Sequence, residues 1–116
     1  MAENNLETKL KLVLIKEISR SLKILRESQI RLLVKEKRKN YTDGNGYWSE
    51  KNIFTYIGKE QVLVTKEVTS PSFYYRGTYA NYDTRREIRG VIDIKDFYKE
   101  LNLNELNLVH KKLHRD

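Results

Sequence analysis

The chain has 116 residues, no cysteine and a formal net charge of +7 at neutral pH. That length suits a single domain, 1–116, burying roughly two thirds of the surface its unfolded form exposes, and a second core would be too small. Lack of cysteine excludes disulfides and thiolate metal sites and points to a reducing compartment, and no apolar run reaches the roughly 20 residues of a membrane span.

From Leu6 to Lys39 the apolar period is helical. Leu6, Leu10, Leu14, Ile18, Leu22 and Leu25 recur three or four apart and continue to Leu32. Lys9 and Lys11 interrupt the only apolar stretch near the start, so a signal peptide is not expected, and the expected location is cytoplasmic. Lys9, Lys16, Arg20, Lys23, Arg31 and Arg38 fall on the other side of this helix at about 100° per residue. One continuous helix of this length would extend about 50 Å. It must therefore break, near Ser19–Ser21 or Ser28, or project and meet a partner. Ile24, Ile30 and Val34 lie off the stripe, and a homodimer through the helix is expected to cover them. The cluster Lys35, Lys37, Arg38 and Lys39 is expected at the helix C-terminus, where cations complement the macrodipole.

Tyr41-Thr-Asp-Gly-Asn-Gly-Tyr47 then reads as a turn, because Asp-Gly and Asn-Gly tolerate positive φ. Alternation predicts strands at about 52–57, 62–69, 73–80 and 86–94, connected by Gly58–Gln61, Ser70-Pro71-Ser72 and Asn81–Arg85. After Ile94 the helical period returns. Phe97, Tyr98 and Leu101 suit one short helix, and Asn104 could cap another carrying Leu106, Val109 and Leu113. The expected fold is α+β: an N-terminal amphipathic helical segment packed on a four-stranded, mainly antiparallel β-meander, with short C-terminal helices.

Charge points to a partner. Residues 1–39 carry eleven Lys/Arg against five Asp/Glu, so six of the seven excess positive charges lie in the first third. A local basic surface attracts a polyanion through Coulomb forces and counterion release. Between Phe73 and Arg89, Tyr74, Tyr75, Tyr79 and Tyr82 interleave with Arg76, Arg85, Arg86 and Arg89. Aromatic rings stack on unpaired bases and guanidinium groups pair with phosphates, so this pattern suits DNA or RNA, single strands above all. Each feature also has an ordinary reading: a solvated helix face, a helix-end cap, or tyrosines chosen as strand formers.

The expected function is a non-enzymatic nucleic-acid-binding accessory protein, without cofactor or bound metal and without a membrane partner. The alternative is a protein-interaction module, an assembly factor or inhibitor of a host protein. Alanine only at Ala2 and Ala80, with abundant Lys, Asn and Ile, suggests an AT-rich genome such as that of a virus or mobile element.

A nuclease is the third possibility. Asp83 with Asp93-Ile-Lys95 resembles the PD-(D/E)xK nuclease core, which implies two carboxylates on Mg²⁺ and a lysine that helps activate water. The match covers about thirteen residues and lacks the proline, and Asp93 also suits a helix N-cap. Gly46-Tyr-Trp48 and Tyr56-Ile-Gly58 resemble the GIY-YIG signature too weakly to carry it. His110 and His114 have the spacing of paired metal ligands on a helix, but a polar terminal helix explains them better.

Overall fold

A computed structural model describes residues 2–25, 29–41, 46–75 and 78–114, with side chains described except at 2–4 and 73–80. The elements run α1 (Ala2–Ile24), β1 (Ile30–Asn40), β2 (Tyr47–Gly58), β3 (Gln61–Tyr75), β4 (Thr78–Asp93), α2 (Ile94–Glu100) and α3 (Leu103–Leu113). The sheet is an antiparallel meander in the order β1-β2-β3-β4. The α+β class and the meander are as expected.

The long helix is not. It ends at Ile24, and Ile30–Asn40 form an edge strand instead. α1 runs unbroken through Ser19–Ser21, and Ser28, the other proposed break, lies outside the described residues. Ile30 and Leu32 are buried, and a register shift between Arg31 and Leu33 inserts one residue, so that Leu33 is buried beside Leu32. That bulge gives the strand two consecutive core residues, which period-2 alternation alone forbids. Ile30 is thus core rather than a dimer contact.

β3 takes in the expected strand 62–69 and β4 the expected 86–94, while the expected strand 73–80 is divided between them, β3 ending at Tyr75 and β4 beginning at Thr78. Ser70-Pro71-Ser72 is no turn: β3 runs through it, and so does β4 through Asn81–Arg85. Pro71 is tolerated because β2 pairs with β3 only as far as Thr69, so beyond it β3 has just β4 as neighbour. The Gly58–Gln61 connection is a two-residue hairpin as expected, with Lys59 and Glu60 both at positive φ (53° and 59°). Both signs match a primed turn, which follows the right-handed strand twist, although neither residue favours that conformation. The Glu60 N–H donates to Tyr56 Oη at 3.3 Å, and the Ile94 N–H donates to Glu60 O at 2.8 Å.

The core gathers at one end of the sheet. Ile18 and Leu22 of α1, Phe97 and Tyr98 of α2, and Leu106 and Val109 of α3 cluster with Leu32, Leu33, Phe54 and Val62. Phe54 and Phe97 approach to 5.2 Å between ring centroids. Tyr98 Oη and Ser19 Oγ share a hydrogen bond of 3.0 Å, and burial pushes the Tyr98 phenol above its ordinary pKa. Asp93 caps α2, accepting from the Lys95 N–H at 2.8 Å. Asn102, not Asn104, caps α3, in a reciprocal capping box with Glu105.

α1 and α3 run parallel, joined by Glu17 with His110 Nε2 and by Ser21 with His114 Nε2. Leu14, Ile18 and Leu22 carry the buried part of the α1 stripe, whereas Leu6 (62% exposed) and Leu10 (45%) lie outside it. No helix among the described residues is long and apolar enough to cross a membrane.

The helices cover only the core end of one sheet face. β3 and β4, at 15 and 16 residues, would each span about 50 Å at roughly 3.3 Å per residue, in line with a longest dimension of 54 Å. The distal half of the sheet therefore extends beyond the helices.

Candidate nucleic-acid interface

Alternation assigns the two faces of that distal half. Phe54 meets Phe97 of α2, and Lys35 meets Glu105 of α3 at 3.0 Å, so both point to the helix side. Counting by twos, Lys37, Lys39, Trp48, Glu50, Lys66 and Arg85 share that side. The opposite, open face carries Arg38, Tyr47, Ser49, Lys51, Glu67, Tyr82, Thr84 and Arg86. Ile53, also on this face, is buried apart from the core cluster.

On the open face a column of three flat groups crosses the sheet. The Arg38 guanidinium carbon lies 4.0 Å from the Tyr47 ring centroid. Tyr47 in turn stacks on Tyr82 at 4.7 Å with an interplanar angle of 26°. β3 passes between the strands that carry the two tyrosines, so both rings lean over it. Arg38 Nε also donates to Asn40 Oδ1 at 3.3 Å. Beside the column, Thr69 and Thr84 hydroxyls hydrogen-bond at 3.0 Å, and Arg86 Nε donates to Glu67 at 3.2 Å. The Arg86 side chain is nonetheless 73% exposed, which leaves its other donors for a ligand.

The helix-side face carries its own ion pairs. Lys66 bridges to Glu50 and, through its hydrogen bond and charge, holds that carboxyl below its ordinary pKa. Arg89 Nη1 bonds Glu87 at 3.2 Å. For Glu105, burial works to raise the pKa, but the Asn102 N–H and Lys35 outweigh it and the net shift is downward. Among the described residues, Lys37, Lys39, Lys51 and Arg85 have no carboxylate within ion-pairing distance.

The basic residues singled out from sequence thus fall into three groups. Lys9, Lys16, Arg20 and Lys23 are exposed on α1, away from Ile18 and Leu22. Arg31, Lys35, Lys37, Arg38 and Lys39 belong to β1, so their charge neither continues the helix face nor caps a helix. Arg85, Arg86 and Arg89 line β4, the other edge strand. Tyr74 pairs with Tyr79 through the β3–β4 ladder, while the side chains of Tyr74, Tyr75 and Tyr79 lie outside the described residues, as does all of Arg76. Sequence reasoning missed Tyr47 and Lys51, because it started the strand that is β2 at residue 52. The alternation Tyr47, Ser49, Lys51, Ile53 was the signal that could have found them.

The nuclease resemblance fails on geometry. Asp83 and Asp93 stand ten residues apart on one continuous strand, about 30 Å at roughly 3.3 Å per residue, too far to share a metal ion. Asp93 is occupied as the α2 cap. His110 and His114 stack on each other at 4.1 Å and bond to α1, and no cluster of metal-ligating side chains occurs among the described residues. No protein-family model, curated protein or solved structure matches this chain.

Proposed function

We propose that the protein is a cytoplasmic, non-enzymatic nucleic-acid-binding accessory protein whose contact surface is the open distal face of the sheet. The Arg38–Tyr47–Tyr82 column carries this reading. An open sheet face that presents aromatic rings beside cations suits splayed, single-stranded bases, which stack on rings while phosphates meet guanidinium and ammonium groups. Lys51 and Arg86 share the face, whereas Lys37, Lys39 and Arg85 sit on its edge strands but point to the helix side. The α1 cations supply a separate, sequence-independent attraction. Fluorescence anisotropy with single- and double-stranded oligonucleotides tests this: preference for single strands supports it, and equal binding to duplex removes the stacking role.

The second reading is a protein-interaction module that forms a homodimer through α1. Its support is Leu6, Leu10 and Val13, exposed at 62%, 45% and 54% with i, i+4, i+7 spacing on one helix face. Sedimentation showing only a 13.9 kDa monomer at micromolar concentration would remove it.

A further inference from the structure

A concave surface lies between α1 and α2. It encloses about 400 Å³, open on one side, and its floor is apolar: Leu12 and Ile15 from α1, Tyr98 from α2, and Leu101 just beyond it. Leu12 is 53% exposed here, and Tyr98 is held in place by Ser19. Three ammonium groups rim the groove: Lys11 from α1, and Lys95 and Lys99 one helical turn apart on α2. Lys11 reaches Glu7 at 3.6 Å, whereas Lys95 and Lys99 have no ion pair within the described residues. Among the described residues no carboxylate lines the groove, and Glu100 instead borders the separate cleft beside Phe54 and Arg89.

We propose that this groove docks a short acidic amphipathic segment of a partner protein. Complementarity selects the occupant. The apolar floor requires one or two bulky apolar side chains to displace water, at roughly 25 cal/mol per Å² buried. The lysine rim requires carboxylates spaced about a helical turn apart, matching Lys95 and Lys99. A phosphate backbone meets the rim but leaves the floor wet. A second copy of α1 would bring Lys9, Lys11 and Lys16 toward a rim already positive.

The test uses the full chain and fluorescein-labelled helical peptides built of Glu, Leu and Ala, with two controls: Lys replacing every Glu, and Ser replacing every Leu. Anisotropy at low ionic strength should show saturable binding of the Glu/Leu peptide and at least about tenfold weaker binding of both controls. Charge reversal by Lys95→Glu with Lys99→Glu should weaken the Glu/Leu peptide about tenfold and improve the Lys/Leu one. Both lysines are exposed, so folding is retained, and a thermal melt verifies it. Leu12→Gln should weaken the Glu/Leu peptide without affecting oligonucleotide affinity, which separates this groove from the sheet face. Equal binding of all three peptides, indifference to the lysine reversal, or no binding would overturn the proposal. So would displacement of the peptide by an oligonucleotide, or phosphatidylserine vesicles capturing the protein through these lysines while the peptide does not bind.

Discussion

Tyr82→Ala separates a ligand-binding column from a merely structural one. In the folded protein Tyr82 is half-buried on an edge strand and stacks on Tyr47 at 4.7 Å. Removing an aromatic partner of this kind costs about 0.5–1.5 kcal/mol beyond lost area. Some apolar burial goes with it, so a total near 2 kcal/mol is expected, below the roughly 3–5 kcal/mol of a fully buried aromatic. The fold should survive, and urea denaturation will read the loss. If bases stack on the column, single-strand affinity falls by about 1–3 kcal/mol, or about five- to 150-fold, with little change on duplex. Tyr47→Leu keeps apolar bulk but removes the ring under Arg38, and should follow the same pattern. A stability loss above about 3 kcal/mol with unchanged oligonucleotide affinity would refute the reasoning and make the column a structural brace.

Other expectations follow from the same geometry. Lys51→Ala with Arg86→Ala should flatten the plot of log affinity against log salt by about 1.4 on single strands, at roughly 0.7 per phosphate contact. Lys16→Ala with Lys23→Ala should change it less, because these lysines are on α1. Glu60→Gly should raise stability by about 1 kcal/mol in thermal melts, relieving a left-handed residue in the β2–β3 turn. Asn102→Ala should cost about 1 kcal/mol through the lost cap. The Glu105 carboxyl has a folded pKa below its unfolded value, so its contribution is complete above the unfolded pKa, near 4.5, and fades as pH falls through the folded one. Glu105→Gln should accordingly remove part of the stability difference between neutral pH and pH below about 4 in denaturation curves.

What the sequence revealed, and what it hid, has physical causes. Apolar alternation at Val62–Val64 and Ile92–Ile94 was legible because these residues face the helices. Beyond the helices both sheet faces meet water, so Lys35-Glu-Lys-Arg-Lys39 carries charge at every position and no period at all. With no Gly or Pro from Leu6 to Lys39, the strand merged with the helix in the pattern. Ile30-x-Leu32 was its only trace, and the bulge at Leu33 masked even that. Pro71 reads as a turn because only the register shows that β2 has already left β3 there. The Arg38–Tyr47–Tyr82 column was invisible for a different reason. Its members come from three strands, and only a register could bring them together.

Lysine and arginine on edge strands also serve to keep sheets from pairing edge to edge. Anisotropy of the wild-type protein with a labelled single-stranded oligonucleotide across a salt series distinguishes the two roles most directly. Engagement of Arg38, Lys51 and Arg86 at roughly 0.7 each predicts a slope of about −2 in log affinity against log salt. Duplex of the same length should bind more weakly. No salt-sensitive affinity for any oligonucleotide at low ionic strength would contradict nucleic-acid binding and leave the β1 and β4 cations as guards of the sheet edges.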